Sequence, residues 1–192
     1  MKKVWLTVLA GYLAIPGHAA AMAGQAAQSS ATAAPSGIDC IRNRLSPDQW
    51  GDFSRVVSAL GSRDDPRFQS MLQAMDRCGD ELSWSPEQIR LAGTYTLAVA
   101  GAAAVREDLA GRGIRIERLD GSILSDRELA AHAENGTMDS AAGMAFALRH
   151  RAEIQRIVAG RPLTDELGGR IGKYIAFRLL IDVSARRFGN AR

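Results

Sequence analysis

The stretch SPEQIRLAGTYTLAVAGAAAVREDL, residues 85–109, decides the fold class of this chain. Ser85 can cap a helix, Pro86 suits the first helical position, and Gln88 can return a hydrogen bond to the cap. Residues 91–105 carry no charge and are mostly Ala, Gly, Thr and Val. A helix without a polar face is buried, and this run is shorter than the roughly 20 residues that cross a bilayer. We therefore expect a long central helix from 86 to about 109, with neighbouring helices packed closely on its small side chains.

The same start signal stands at three other places along the chain. Leu45-Ser46-Pro47-Asp48-Gln49-Trp50 repeats it in full, Ser125 begins a version without proline, and Thr164 begins the last. The four caps lie at 46, 85, 125 and 164, so the steps are 39, 40 and 39 residues. A helical repeat has a period of this size. The segments after the caps differ in length and content, however, which favours independent helices over a repeat.

The apolar periodicity between these signals predicts an all-α fold, a single-domain helical bundle of about five to six helices. Residues 112–123 alternate apolar and charged side chains from Ile114 to Leu119, as a strand does, but no second strand is present to pair with them. We therefore expect an ordered loop there. The expected helices cover residues 47–60, 66–78, 86–109, 126–134, 138–159 and 165–187.

Cys40 and Cys78 are the only cysteines, and they flank the first two expected helices. An even pair in an oxidising compartment forms a disulfide by default, whereas redox-active pairs usually stand as Cys-x-x-Cys. We therefore predict a disulfide that closes an N-terminal helical hairpin. In the chain-entropy model, a closed loop of this length contributes about 4 kcal/mol, chiefly by restricting the unfolded state.

Residues 1–23 have the pattern of a secretory signal peptide. Two lysines open the chain, Val4 to Ile15 form an uncharged apolar run, Pro16-Gly17 interrupts it, and small residues follow. The alternative is a single membrane anchor, but the apolar run is too short to span the hydrocarbon core. The pattern predicts an exported, periplasmic protein without an integral membrane span after cleavage.

The signal peptide sets the boundaries of the mature chain. Ala21 and Ala23 are small residues at the spacing that signal peptidase requires, which favours cleavage after Ala23, with Ala19 and Ala21 as alternatives. Residues 24–37 contain neither a charge nor a large apolar side chain, so we expect a flexible leader rich in Ala and Ser. Residues 38–192 then form the helical domain.

The overall basicity of the chain disappears once the signal peptide is removed. The chain has 24 Lys and Arg against 21 Asp and Glu, and two of the lysines lie within residues 1–23. The mature chain therefore carries 22 basic and 21 acidic side chains, a net charge of +1. This balance gives no indication of a nucleic-acid partner, which usually requires a clustered basic face. A protein partner or self-association stays open.

Two histidines, His132 and His150, remain after residue 23, and each shares a helical face with a glutamate. Glu128 precedes His132 by four residues, and Glu153 follows His150 by three, so these groups are candidates for a metal site or for acid–base catalysis. Ferritin-like di-iron sites use a different order and number of ligands. The sequence contains neither a Gly-x-Ser-x-Gly elbow nor a phosphate-binding glycine loop, so it predicts no cofactor and leaves any catalytic residue unknown.

Gly168, Gly169 and Gly172 lie inside the last expected helix, where each costs about 1 kcal/mol relative to Ala. We expect them to allow close packing against the central helix. The alternative is that a ligand or partner approaches the backbone there.

Three functions follow from these observations. The first is a non-enzymatic, exported module that binds a protein partner or has a structural role, because the sequence shows no assembled catalytic set. The second is a hydrolase or metal-dependent enzyme that uses His132, His150 and nearby carboxylates. The third is a carrier of a small apolar ligand between the central and last helices.

Overall fold

The computed structural model describes residues 37–59, 65–158 and 160–191, and every regular element in these ranges is helical. The predicted signal peptide and residues 24–36 of the predicted leader lie outside the described residues. The all-α prediction is confirmed, with more helices than expected. The described α-helices are α1 Cys40–Arg44, α2 Pro47–Ser58, α3 Gln69–Glu81, α4 Pro86–Gly111, α5 Asp120–Ser125, α6 Arg127–Glu134, α7 Ser140–Arg149, α8 Arg151–Ile157 and α9 Asp165–Asn190.

Two helix starts follow the expected chemistry in full. Ser46 and Ser85 each accept a hydrogen bond from the backbone amide three residues later, and their own backbone amides donate to the side chains of Gln49 and Gln88. Thr164 caps α9 in the same way by accepting from the Leu167 amide. The helices after the four caps have 12, 26, 8 and 26 residues, so the regular spacing of their starts does not reflect a repeated unit.

The expected loop over residues 112–123 is helical from Ile116 onward. A 3₁₀ helix at Ile116–Leu119 leads directly into α5. Ile116, Leu119 and Ile123 are fully buried, and their spacing of three and four residues is the helical period. The alternation that resembled a strand was therefore the beginning of a helical pattern.

Two expected helix boundaries were also wrong. The single helix over residues 138–159 is divided into α7 and α8 by a break at His150. The cap of α6 is Asp126 and not Ser125, because the Asp126 carboxylate accepts from the Leu129 amide while the Ser125 hydroxyl donates to the Ser122 carbonyl.

The long helices α4 and α9 form the central pair of the molecule and run antiparallel. Trp84, just before α4, packs edge-on against Phe188 near the end of α9, and Arg112 after α4 pairs with Glu166 at the start of α9. Eleven residues of α4 are buried, as its uncharged sequence predicts. Among the described helices, none is both long enough and apolar enough to span a membrane.

The buried side chains form two clusters that meet on the central pair. One lies around α1 to α3, and the other lies around α5 to α8. Phe177 and Ile181 of α9 pack against both clusters. The disulfide between Cys40 and Cys78 is present, with a Cα–Cα distance of 6.1 Å, and it joins the start of α1 to α3. The predicted closure of the N-terminal hairpin is therefore confirmed.

Candidate functional site

Two breaks in the helical chain are joined by a cluster of polar side chains. Asp126 separates α5 from α6, and His150 separates α7 from α8. The Nε2 atom of His150 lies 3.1 Å from Oδ2 of Asp126. The Arg149 guanidinium donates to both Asp126 oxygens, from Nε at 3.0 Å and from Nη2 at 2.9 Å. One carboxylate therefore ties together two segments that are more than 20 residues apart in sequence.

The Asp126 side chain is only 5% exposed, so its charge depends on these partners. Burial raises the pKa of Asp126, but hydrogen bonds from the Leu129 amide, Arg149 and His150 outweigh this effect and lower the pKa below its ordinary value of 3.8. The carboxylate is consequently ionised at neutral pH and holds the cap of α6 and the end of α7 in place.

Two glutamates extend the cluster to the surface. Glu128 accepts from Nη1 of Arg149 at 2.6 Å. Oε2 of Glu153 lies 4.0 Å from Nδ1 of His150 and accepts a hydrogen bond from the Ser122 hydroxyl. In a serine hydrolase the serine donates to the histidine that removes its proton. Here the described Ser122 hydroxyl donates to the Glu153 carboxylate.

The four side chains predicted as a possible metal or catalytic set do not form one site. Glu128, His150 and Glu153 surround the Asp126–Arg149 pair, whereas His132 is exposed and contacts Thr137, with Nδ1 3.0 Å from Oγ1. Within the part of the chain that the structure describes, no three His, Cys, Asp or Glu side chains converge as metal ligands.

Gly168 and Gly172 of α9 do not make the expected close approach to α4. A Cβ atom added to Gly168 or Gly172 would meet nothing within 4 Å, so the prediction was wrong at these two positions. The close approach is at Gly101 of α4, where an added Cβ would overlap the ring of Phe177 from α9. The Phe177 ring therefore lies directly against the backbone of α4 at Gly101.

A polar surface cavity of about 360 Å³ lies at the far end of α6 from Asp126. Arg186 in its wall is paired with Glu134 and with Asp182, so this guanidinium is already engaged. The cavity is lined by Glu134, Asn135, Val183, Arg186, Arg187 and Asn190.

Among the residues that the structure describes, the most exposed large apolar side chains belong to α7. Met144 is 63% exposed and Leu148 is 68% exposed. They are four residues apart and share one side of the helix with Ala141 and Ala145. We call these four residues the α7 face. Its charge-free surface is unusual for a helix that packs mainly against its chain neighbours α6 and α8.

The Asp126 cluster anchors the α7 face at one end. Arg149, the last residue of α7, binds Asp126, and the His150 ring lies against Phe146 with 4.5 Å between ring centroids. Phe146 is fully buried on the opposite side of α7. At the other end, Asp139 caps the helix by accepting from the Ala142 amide at 2.8 Å. The α7 face is thus held on a fixed helix.

Sequence reasoning did not identify Arg149, Met144 or Leu148 as functional candidates. The Arg149–Asp126 pair joins residues 23 apart, and no local pattern indicates which arginine meets which acid. The apolar period of Met144 and Leu148 is visible in the sequence. It does not distinguish the exposed side of α7 from the buried side, because Ala142 and Phe146 give the other side the same apolar character.

Comparisons of the chain with protein-family models, with curated proteins and with solved structures found no match. The functional argument therefore rests on the geometry of the described residues.

Proposed function

We propose that this protein is an exported, non-enzymatic interaction module that binds a protein partner through the α7 face. The observation that carries this proposal is the exposure of Met144 and Leu148 side by side on a helix whose only charged residue is Arg149 at its end. Contiguous exposed apolar side chains commonly mark protein contacts, whereas single exposed residues need no explanation.

The support around α7 fits a binding role. The helix is capped by Asp139, anchored by Arg149 and wedged by the buried Phe146 ring. A rigid, preformed apolar surface binds at a lower entropic cost than one that must be ordered on contact. In this proposal, the Asp126 cluster serves to present the α7 face, and its histidine has a positioning role.

The two alternatives receive less support from the described residues. A hydrolase or metal enzyme would need His132 and His150 to act together, and they contact different partners. A carrier would need space between α4 and α9, where Phe177 lies against Gly101. The disulfide between Cys40 and Cys78 is compatible with the export that residues 1–23 predict.

Photo-crosslinking in the producing cells tests the proposal directly. A photoreactive amino acid is placed at position 148 or 144, and a matched control carries it at Leu163, which is 55% exposed outside α7. We expect light-dependent covalent adducts to a protein from positions 148 and 144, because a partner that covers the α7 face lies within reach of both.

The control at position 163 decides between a contact and exposure alone. If positions 144 and 148 give no adduct, or if position 163 gives the same adducts with the same yield, the α7 face is not the contact surface and the proposal is wrong. Mass spectrometry of the adducts then identifies whether the partner is another protein or a second copy of this chain.

A further inference from the structure

We propose that Met144 is an oxidation site, and that its sulfoxide reversibly switches the polarity of the α7 face. The covalent step stands on the exposure of this one sulfur, whereas its effect on binding rests on the proposed function of α7. Oxidation replaces an apolar thioether by a polar sulfoxide, and methionine sulfoxide reductases reverse the change.

Methionine is the sulfur nucleophile that the mature chain leaves to an oxidant. Cysteine thiolates react with peroxides, but Cys40 and Cys78 are joined in the disulfide, and the sequence contains no other cysteine. Of the six methionines, Met1 and Met22 lie in the predicted signal peptide. The remaining four are Met71, Met75, Met138 and Met144.

Among these four, Met144 has the most exposed side chain. It is 63% exposed, whereas Met71 is 4% exposed. Met75 and Met138 are partly buried and pack against the hydrophobic clusters. The sulfur of Met75 also lies against the backbone of α4, because a Cβ atom added to Gly93 would be 3.0 Å from Sδ. Since a buried group reacts only when the structure opens locally, an oxidant should react first at Met144.

The reaction needs only a peroxide as co-reactant, and hydrogen peroxide is the simplest. A lone pair on the Met144 sulfur attacks one peroxide oxygen, so an S–O bond forms as the O–O bond breaks. The proton on the attacked oxygen passes to the departing hydroxide, which leaves as water. The sulfur is oxidised to the sulfoxide and the peroxide is reduced to water.

The position of Met144 on α7 determines what the sulfoxide does. In the free protein the S–O group stays in water, so the fold should keep its stability. When a partner covers the α7 face, the same group is buried beside Ala141, Ala145 and Leu148, whose side chains have no hydrogen-bond donor. Oxidation should therefore weaken binding by roughly 10-fold, because a polar group is buried without a donor from its own helix face.

Peptide mapping after brief treatment of the folded protein with hydrogen peroxide tests the site. We expect Met144 to be oxidised roughly 10-fold faster than Met71, because only local opening exposes the buried sulfur. In protein unfolded with urea, the rates at the four methionines should become similar. Equal rates in the folded protein, or faster oxidation at another methionine, would overturn the inference.

Hydrophobic-interaction chromatography tests the change in polarity without a partner. Protein oxidised at Met144 should elute earlier than untreated protein, and incubation with reductases for both sulfoxide stereoisomers should restore the original elution. The urea midpoint of the oxidised protein should equal that of the untreated protein, because the Met144 side chain is exposed. Unchanged elution, or a lower urea midpoint, would overturn the inference.

Photo-crosslinking from position 148 measures the effect on binding. Purified protein with the photoreactive amino acid at this position is oxidised or left untreated, and it is then illuminated with the periplasmic fraction of the producing cells. Below saturation, oxidation should lower the adduct yield by roughly 10-fold, and the reductases should restore it. Met138→Leu should show the same loss as the wild type, whereas Met144→Leu should show none relative to its own untreated sample.

These outcomes separate the inference from the proposed function. Adducts that oxidation does not reduce leave the binding role of α7 standing and refute the switch. A loss that also occurs in Met144→Leu places the effect at another residue and refutes the inference. Absence of adducts from untreated protein refutes the proposed function and the effect on binding, while peptide mapping still decides whether Met144 is the oxidation site.

Discussion

Asp126 links three parts of the molecule through one carboxylate. It caps α6 through the Leu129 amide, binds the Arg149 guanidinium at the end of α7, and accepts from His150 at the start of α8. Burial of a charge is costly unless its hydrogen-bonding capacity is filled, and here both oxygens are occupied. Removal of the charge should therefore weaken the contacts that join α6, α7 and α8.

We predict that Asp126→Asn lowers the free energy of unfolding by about 1–3 kcal/mol at neutral pH. Asparagine keeps the cap of α6 but loses the charged bond to Arg149. Because the folded-state pKa of Asp126 lies below 3.8, the wild-type advantage is complete above this value and is lost as the pH falls through the folded-state pKa. Urea unfolding of both proteins across a pH series measures the difference.

Glu128→Gln is the matched control for this prediction. Glu128 binds the same guanidinium, but its side chain is 74% exposed, so its removal should change stability by less than about 0.5 kcal/mol. Equal losses in the two variants, or an Asp126→Asn loss that persists at the lowest pH, would show that burial of the Asp126 charge is not the source of the effect.

At the scale of whole elements, the packing of α4 against α9 is set by one glycine and one ring. Gly101 lies against Phe177, which packs against both hydrophobic clusters. Gly172, on the exposed side of α9, has open space where a Cβ would be. The same substitution at these two positions should therefore have opposite effects.

We predict that Gly101→Ala destabilises the protein by about 1–2 kcal/mol, because overpacking against Phe177 exceeds the gain in helix propensity. Gly172→Ala should stabilise it by about 0.5–1 kcal/mol through propensity alone. Thermal and urea unfolding of the two variants measure both values. Stabilisation by Gly101→Ala in the wild-type protein would contradict the close approach of Gly101 and Phe177. If Gly101→Ala stabilises the protein only when Phe177→Ala is also present, the contact with the Phe177 ring is the cause of the destabilisation.

Across the whole molecule, the features that the sequence predicted are those with a local chemical cause. The capping boxes at Ser46 and Ser85 need only residues three positions apart, and the uncharged run in α4 indicates burial by composition alone. The disulfide followed from a count of two cysteines. Each of these features can be inferred without knowing which helices become neighbours.

The features that were missed depend on contacts between distant segments. The break at His150 coincides with its bond to Asp126, 24 residues away in sequence, and neither residue is a helix breaker by itself. The exposure of the α7 face depends on which side of an apolar helix the rest of the chain covers. Gly101 contacts Phe177 from a helix that begins more than 60 residues later. The close approach that we expected at Gly168 and Gly172 of α9 therefore occurs at Gly101 of α4.

The proposed export makes a prediction about the covalent state of the whole chain. Cells that produce residues 1–192 should release, with the periplasmic fraction, a protein with the intact mass of residues 24–192, because Ala21 and Ala23 fit the specificity of signal peptidase. Without reductant, neither Cys40 nor Cys78 should react with an alkylating reagent, since both sulfurs are in the disulfide. After reduction in denaturant, two alkyl groups should be added.

A mass that corresponds to cleavage after Ala19 or Ala21 would move the start of the mature chain but keep export. Recovery of the uncleaved chain from the cytoplasm, with both thiols reactive, would contradict export and remove the oxidising compartment on which the disulfide depends.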